Sequence, residues 1–258
     1  MSFIDARAVN VLYPVYGARS RSLRDHLLRR VGGKIGVGQD DRVIVTALQN
    51  ITLSLRSGDR VALIGGNGAG KSTLLRVLAG ILEPSAGEIT ISGRVSSLLD
   101  MSMGMDPEAT GYENIVMRSV FLGATFAEAD ARMSEIEAFS ELGDYLQLPM
   151  RTYSSGMSLR LSFAIAVAVQ PKILVLDELI ASGDAAFAAK ANARLQEVIS
   201  KLEILLLATH SMETARNMCN RGLVLDHGQV IADAPIEEAI AAYEHRASSA
   251  ERASPVAA

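Results

Sequence analysis

Residues 65–73 read GGNGAGKST, and this motif restricts the possible folds more than any other stretch of the chain. It fits the pattern G-x-x-x-x-G-K-[ST], with an apolar run ending at Ile64 before it and a helical stripe over 71–82 after it. Glycines allow the backbone to form a concave nest whose N–H groups point at phosphate oxygens, with a helix N-terminus behind them. The motif therefore predicts a phosphate-binding loop, with Lys71 neutralising the β- and γ-phosphates and Ser72 ligating Mg²⁺. The alternative is a Gly-rich turn that binds nothing, which leaves the Lys-Ser pair without a role.

The composition is that of a globular protein. The 258 residues are 49% apolar and 21% charged, and the net charge of −4 means that nucleic-acid binding would need a local basic patch. The single cysteine, Cys219, excludes an internal disulfide and suits a reducing compartment. The longest apolar run, residues 163–169, is far shorter than the roughly 20 residues of a membrane-spanning helix. We therefore expect neither a transmembrane segment nor a secretory signal.

The rest of the pattern predicts an α/β fold. KILVLDE (172–178) and EILLLATH (203–210) are apolar runs that end in polar residues, as buried parallel strands do. A helix is predicted between them, over 187–202. Apolar and polar residues alternate on either side of a turn in two segments, 87–99 and 223–232, and this pattern predicts two hairpins.

Other stretches are helical or ambiguous by pattern. Residues 111–148 are acidic, contain few strand formers and predict helices. In residues 159–169, large apolar side chains alternate with Arg, Ser and Ala, and this period of two by itself indicates a strand. The alanines and the preceding Ser-Ser-Gly favour a helix instead. The residues alone leave this choice open. Residues 236–245 predict a final helix, and 246–258 predict a disordered tail.

Candidate catalytic side chains follow the two predicted buried strands. Asp177 and Glu178 end the first strand, where one carboxylate could hold a metal and the other could polarise a water molecule. By itself, an Asp-Glu pair after an apolar run more often marks the point where a strand reaches solvent. Because a phosphate loop precedes the pair in this chain, a catalytic role is favoured instead. His210 ends the second strand, where contact with a γ-phosphate is favoured over a capping role.

The order and spacing of these motifs, together with YSSGM at 153–157, resemble the ATP-binding cassette (ABC) ATPases over roughly residues 8–243. YSSGM stands where that family usually has Leu-Ser-Gly-Gly-Gln. Two positions match, Ser154 and Gly156, and three depart, Tyr153, Ser155 and Met157. The resemblance implies a P-loop NTPase with a RecA-like core, an N-terminal antiparallel β subdomain and an α-helical signature subdomain. It also implies that 159–169 is a helix.

The same resemblance implies one nucleotide-binding domain over residues 1–245, with the helical subdomain at roughly 108–170, and an ATPase that uses ATP and Mg²⁺. By analogy with the family, Glu178 is the general base, His210 the switch histidine, and Lys71 and Asp177 complete the catalytic set. The residues expected to contact the nucleotide are Tyr16, Gly65, Asn67, Gly68, Ala69, Gly70, Lys71, Ser72, Thr73, Ser154, Ser155, Gly156 and Asp184.

Two of these assignments have open alternatives. Tyr16 resembles the aromatic residue that stacks on adenine, but Tyr13 could take that role, and either could belong to the core. The metal ligands implied by the resemblance are Ser72, Asp177 and Asp100, and Asp100 stands where most cassettes have a glutamine. By itself, an acid in SSLLDMSMG would more often be an exposed loop residue.

Partners also follow from the resemblance. Two cassettes pack head to tail, so that Ser154, Ser155 and Gly156 face the γ-phosphate of ATP on the second copy, and Asp184 lies at the seam. Separate integral membrane permease subunits, in two copies, are expected to hold the pair at the cytoplasmic face of the inner membrane. Nucleic acid is not an expected partner.

Four segments resemble the branch that exports lipid-linked polysaccharides such as O-antigen, teichoic acid and capsule: 11–28, 94–115, 153–166 and 182–191. The expected function is ATP-driven export of such a glycan across the cytoplasmic membrane. Alternatives are another exported substrate, a non-transport cassette ATPase, and a P-loop kinase or GTPase, which would give YSSGM no role. The basic stretch 19–34 is either an element near lipid head groups or a solvated loop.

Overall fold

A computed structural model of the chain describes residues 1–15, 34–37, 43–99, 101–177 and 185–253. Its strands are β1 (Phe3–Val15), β2 (Lys34–Val37), β3 (Val43–Arg56), β4 (Arg60–Ile64), β5 (Ala86–Ser92), β6 (Val95–Ser97), β7 (Ile173–Asp177), β8 (Ile204–Ala208), β9 (Arg221–Asp226) and β10 (Gln229–Pro235). Its α-helices are α1 (Lys71–Leu78), α2 (Gly111–Phe121), α3 (Phe126–Ala131), α4 (Met133–Ser140), α5 (Ser155–Ala168), α6 (Ala185–Ser200), α7 (Met212–Met218) and α8 (Ile236–Ala253). The chain divides into two compact units, Met1–Ser92 with Ile204–Ala258, and Gly93–Glu203.

The first unit contains an antiparallel sheet in the order β2-β3-β1-β5. In β1, Ile4 and Ala6 are buried, and then Val9 and Val11, so the buried positions shift by one residue part-way along the strand. The shift occurs at Ala8, which has a φ of 48° and lies where the pairing with β3 changes register. A bulge of this kind inserts one residue and turns the following side chains to the opposite face.

The first unit also contains β10, β9, β4 and β8, side by side in that order. β4 pairs in parallel with both β8 and β9, and its residues 61–64 have no exposed surface. The predicted hairpin at 223–232 is confirmed, because Asp226 pairs with Gln229 across the turn His227-Gly228. Both turn residues have positive φ, 44° and 78°, as a two-residue hairpin turn requires.

The predicted hairpin at 87–99 is wrong. Two strands do form there, but β5 pairs with β1 and β6 pairs in parallel with β7, and the two strands belong to different units. Gly93, with φ of 117°, lies between them. Alternation indicates that a segment is a strand, but it carries no information about which strand will be its partner, and this is why the local pattern was misleading.

The second unit consists of β6, β7 and helices α2 to α6, and the helices expected between 111 and 148 are present. α5 shows that 159–169 is helical up to Ala168. All eight residues from Leu161 to Ala168 are buried. A helix that is buried on every side has no polar face, so its apolar period could not distinguish it from a strand.

The last helix is longer than the sequence indicated. α8 continues to Ala253, so residues 246–253, which were predicted to belong to a disordered tail, are helical. Alanine and glutamate in this stretch are good helix formers, and this explains the extension. Residues 254–258 lie outside the described residues. Within the described ranges, no helix is both long enough and apolar enough to cross a membrane.

Candidate functional site

The phosphate loop leaves the carboxyl end of β4, the strand that lies between β8 and β9. Gly66, Asn67 and Gly68 are exposed, whereas Ala69 is buried, so the loop turns its tip to solvent and its base to the core. The loop closes with a hydrogen bond of 3.2 Å from the amide of Ala69 to the carbonyl of Gly66. Gly70 then starts α1 with φ of 106°, a conformation that suits glycine. Gly70 is the N-cap residue, and it has no side chain to accept a hydrogen bond from the first N–H groups of α1.

Lys71 is the first residue of α1, and its side chain bends back over the loop. Its Nζ donates to the carbonyl of Gly65 at 2.6 Å and to the carbonyl of Gly66 at 3.1 Å, and only 8% of the residue is exposed. The ammonium group is thus held at the concave side of the loop, where phosphate oxygens could replace the carbonyls as partners. Ser72 follows as an exposed hydroxyl and Thr73 is half-buried.

Close packing explains two of the glycines. A Cβ on Gly65 would lie 2.5 Å from the carbonyl oxygen of Leu225, and a Cβ on Gly70 would lie 2.9 Å from that of Ala47. The base of the loop therefore touches β9 and β3 directly, and any larger residue would push it away from them.

His210 belongs to the same edge of the same unit. Ala208 ends β8 and pairs with Leu63 of β4, so the segment after β8 emerges beside the start of the phosphate loop. Thr209 is buried and His210 is exposed. His210 thus follows a strand that lies next to the strand carrying the loop, and its catalytic role stays a prediction.

In the second unit, Asp177 is the last residue of β7 and the only exposed one in that strand. A serine hydroxyl and one carboxylate are oxygen donors of the kind that Mg²⁺ takes, usually together with phosphate oxygens and water. Among the residues that the structure describes, no three His, Cys, Asp or Glu side chains could hold a metal by themselves. Ser72 and Asp177 are both exposed, so each offers an oxygen atom of the kind that Mg²⁺ takes.

The signature residues form the N-terminus of α5. Ser154 is the N-cap, and its hydroxyl accepts a hydrogen bond of 3.2 Å from the amide of Met157. Ser154, Ser155 and Gly156 are all exposed, and no acid lies in the first turn of the helix. A Cβ on Gly156 would find no atom closer than 3.9 Å, so its surroundings are open. An exposed helix N-terminus without acidic residues attracts anions.

Tyr153, which departs from the usual signature, has a structural role that the sequence did not reveal. Its hydroxyl donates a hydrogen bond of 2.7 Å to the carbonyl of Tyr145, and a Cβ on Gly111 would collide with that hydroxyl. Desolvation raises the pKa of Tyr153. Tyr153 thus ties the start of the signature to the 3-10 helix Gly143–Gln147 and to the first residue of α2.

Several predicted residues lie outside the described residues: Tyr16, Asp100, Glu178, Asp184 and residues 19–33 of the basic stretch. Their proposed roles remain predictions. Tyr13, the alternative to Tyr16, is described; it pairs with Val45 in the β1–β3 ladder and is 38% exposed. That exposure places Tyr13 outside the core.

Sequence reasoning also missed the turn between β9 and β10 as part of the site. Gly228 donates its amide to the carbonyl of Ala69, inside the phosphate loop. The only local signal was a two-residue hairpin turn, which does not indicate a contact with a loop so distant in the sequence.

Comparison with known proteins matches the chain to one family. The domain model of the ABC transporter family matches residues 48–181. The O-antigen export system ATP-binding protein RfbE of Yersinia enterocolitica is 48% identical over 231 residues, covering 89% of this chain and 97% of that protein. The O-antigen export system ATP-binding protein RfbB of Klebsiella pneumoniae is 38% identical, covering 77% of this chain and 80% of that protein. The teichoic acids export ATP-binding protein TagH of Lactococcus lactis is 38% identical, but the chain covers only 42% of it.

Solved structures share the fold. The dimeric, post-hydrolysis structure of the ATP-binding cassette MJ0796 bound to ADP and Pi superimposes with a TM-score of 0.64 at 20% identity, covering 90% of this chain and 98% of that chain. An ATP-binding subunit of an ABC transporter superimposes with a TM-score of 0.65 at 22% identity, covering 92% of this chain and 91% of that one. The phosphate loop, the signature helix and these matches together show that the chain belongs to the ABC transporter family, as one of its ATP-hydrolysing cassettes.

Proposed function

We propose that this cassette drives the export of a lipid-linked, O-antigen-like glycan across the cytoplasmic membrane. The observation that carries the proposal is the 48% identity with the O-antigen export protein RfbE along 97% of that protein. Similarity along nearly the full length of RfbE goes beyond the nucleotide-binding motifs, which exporters of many substrates share. The cassette would work at the cytoplasmic face of the membrane, attached through two permease subunits.

ATP binding would begin at the phosphate loop. The loop amides and the N-terminus of α1 would surround the β- and γ-phosphates, and Lys71 would exchange its contacts with Gly65 and Gly66 for phosphate oxygens. Ser72 and Asp177, with Asp100 as a further candidate, would hold Mg²⁺, which supplies positive charge to the phosphates. Tyr16, or the exposed Tyr13, would stack on adenine.

Hydrolysis would use Glu178 and His210. Glu178 accepts a proton from the attacking water while the water oxygen bonds to the γ-phosphorus, and the bond to the β–γ bridging oxygen breaks to leave ADP and phosphate. His210, on the strand next to the phosphate loop, would donate a hydrogen bond to a γ-phosphate oxygen. Both groups act only when the γ-phosphate is held in line by the loop.

A second copy of the chain would complete each site. The exposed Ser154, Ser155 and Gly156 would face the γ-phosphate bound by the other subunit, with Asp184 near the seam. The open, acid-free N-terminus of α5 supports this role, because an anion from another chain can reach it. ATP binding would then close the pair, and hydrolysis would release it and move the permease.

Inactivating the phosphate loop in the source cell tests the substrate. The variant Lys71→Ala should block export, and a lipid-pyrophosphate-linked glycan should accumulate in the cytoplasmic leaflet. Lys201→Ala, which changes an exposed lysine that pairs with Glu197, serves as the control and should export normally. If no glycolipid accumulates in the Lys71→Ala cells, the proposed substrate class is wrong.

A second substrate class has its own support. The similarity to TagH favours a phosphate-rich polymer such as teichoic acid as the alternative to an O-antigen-like glycan. Composition analysis of the accumulated glycolipid separates the two, because teichoic acids contain polyol phosphate in the chain. Recovery of the cassette from detergent-solubilised membranes with ribosomes or DNA, and without an integral membrane protein, would instead indicate a non-transport ATPase.

A further inference from the structure

The carboxylate of Glu141 joins two helices of the second unit, with one oxygen contacting each helix. It is the residue that follows α4, and it has a left-handed φ of 57°. Lys190 from α6 lies 2.5 Å from its Oε1, and Arg160 from α5 lies 3.5 Å from its Oε2. We call Glu141, Arg160 and Lys190 the clamp. Each of its three members comes from a different segment of the unit.

Lys190 also completes the C-terminus of α4. Its Nζ donates to the carbonyl of Phe139 at 3.0 Å and reaches that of Ala138 at 3.5 Å, and it lies 4.7 Å from the centre of the Phe139 ring. A cation at this end of a helix satisfies carbonyls that have no partner within the helix and opposes the negative end of its dipole. Lys190 thus fixes α6 against the end of α4 in a defined orientation.

Three aromatic rings pack against one another near the clamp and join α4, α5 and α6. The rings of Phe139, Phe163 and Phe187 have centroids 6.0, 5.9 and 6.2 Å apart, and Phe163 and Phe187 are buried. The guanidinium of Arg160 lies 4.8 Å from the centre of the Phe187 ring. Arg160 therefore contacts both the Glu141 carboxylate, just after α4, and a buried ring of α6. The rings provide the apolar contact area, and the two cations restrict how α5 and α6 can turn on it.

The positions of Arg160 and Lys190 in their helices link the clamp to the site. Each is the sixth residue of its helix, α5 beginning at Ser155 and α6 at Ala185. α5 directly follows Ser154, and α6 directly follows residues 178–184, which include Glu178 and Asp184. The clamp thus joins the second turns of two helices, and residues that precede each helix in the sequence are assigned to nucleotide contacts.

We propose that the clamp is a positioning device for ATP hydrolysis. It fixes the second turn of α5 against the second turn of α6, so that residues 154–156 at the start of α5 meet the nucleotide of a second subunit in one geometry. This inference rests on the head-to-tail pair described under the proposed function. Arg160, Glu141 and Lys190 do not touch the nucleotide; they act through the segments that do.

The exposure of the clamp separates this role from a purely structural one. The side chains of Glu141 and Lys190 are 53% and 36% exposed, and ion pairs with such exposure contribute little to folding stability. A structural role therefore predicts almost no effect of breaking the pair. A positioning role predicts a loss of turnover in a protein that still folds and still binds nucleotide, because small displacements of catalytic groups slow reactions strongly.

The variants Lys190→Met and Glu141→Gln test this in the full-length protein. Lys201→Met is the matched control, because Lys201 lies just beyond the end of α6 and pairs with Glu197 one turn before it. We expect Lys190→Met to lower kcat for ATP by about tenfold, with KM and the Kd for ADP changed by less than about twofold. The thermal midpoint of Glu141→Gln, which keeps the contacts from Lys190 to the carbonyls of α4, should stay close to that of Lys201→Met. Lys190→Arg, which keeps the cation, should recover most of the turnover.

Two results would overturn the inference: a kcat of Lys190→Met within about twofold of Lys201→Met, or a loss of turnover that follows a parallel loss of folded protein or ADP binding. The Glu178→Gln background provides a second measurement. There, Lys190→Met should weaken the ATP-bound dimer seen by analytical ultracentrifugation. If Glu178→Gln with an intact clamp forms no such dimer, the head-to-tail pair of the proposed function is wrong. If the dimer forms and Lys190→Met does not weaken it, the positioning role of the clamp is wrong.

Discussion

The amide of Gly228 donates a hydrogen bond of 2.9 Å to the carbonyl of Ala69, so the turn between β9 and β10 supports the phosphate loop directly. The carbonyl of Gly228 in turn accepts a hydrogen bond of 2.8 Å from the amide of Gln49 in β3. One residue thus connects the loop to a strand of the antiparallel sheet. The shape of the phosphate loop depends on this turn as well as on its own glycines.

Replacing Gly228 by alanine should therefore destabilise the protein and weaken nucleotide binding. A Cβ at this position would lie 2.6 Å from the carbonyl oxygen of Ala47, and the φ of 78° disfavours any side chain. We expect the free energy of unfolding, measured with urea, to fall by about 3 kcal/mol. Gly58→Ala is the control, because Gly58 has φ of 100° but no atom within 4 Å of a Cβ. Its cost should be about 1 kcal/mol, and equal costs would show that the collision at Gly228 does not matter.

Glu178→Gln should leave nucleotide binding intact and abolish turnover. An amide cannot accept the proton of the attacking water, and loss of a general base slows a reaction by about 100-fold or more. Steady-state ATP hydrolysis and the Kd for ATP measure the two effects separately. Turnover that survives within about tenfold of the wild type would mean that Glu178 is not the base.

Tyr153→Phe should destabilise the protein through loss of one hydrogen bond. The Tyr153 hydroxyl donates to the carbonyl of Tyr145, which would lose this partner, and the expected cost is about 1 kcal/mol in the free energy of unfolding. Tyr145→Phe is the control, because that side chain is 54% exposed and only its backbone carbonyl takes part. Its effect should stay within about 0.5 kcal/mol. Equal losses in the two variants would contradict the anchoring role of Tyr153.

The buried Cys219 should make stability fall in alkaline solution. Burial raises the pKa of its thiol to about 12, whereas an unfolded cysteine titrates near 8.5. Between about pH 9 and pH 10 the unfolded chain therefore releases a proton that the folded chain keeps, and the free energy of unfolding decreases. The slope from this group is at most about 1.4 kcal/mol per pH unit. Urea denaturation at several pH values should show a shallower slope for Cys219→Ala, and an unchanged slope would contradict the prediction.

Much of the fold followed from local patterns. The strands that end at Ile64 and Asp177 each contain four apolar residues in a row, and the glycine-lysine spacing of the loop after Ile64 is typical of phosphate loops. The secondary structure of residues 159–169 could not be predicted in this way, because a helix buried on all sides lacks the alternation of apolar and polar faces that marks a helix in the sequence. There, the resemblance to a family decided in favour of a helix, and the structure agrees.

Local sequence patterns were enough to predict a phosphate loop with Lys71 and Ser72, acids and a histidine at the ends of buried strands, and a polar helix start at Ser154. Short segments suffice for such features, because glycine, capping residues and periodicity act over a few residues. The tertiary structure alone decided that β5 and β6 take different partners, that Gly228 supports Ala69, and that Glu141 joins Arg160 to Lys190. These contacts join residues far apart in the chain, and their formation depends on how whole elements pack rather than on any local pattern.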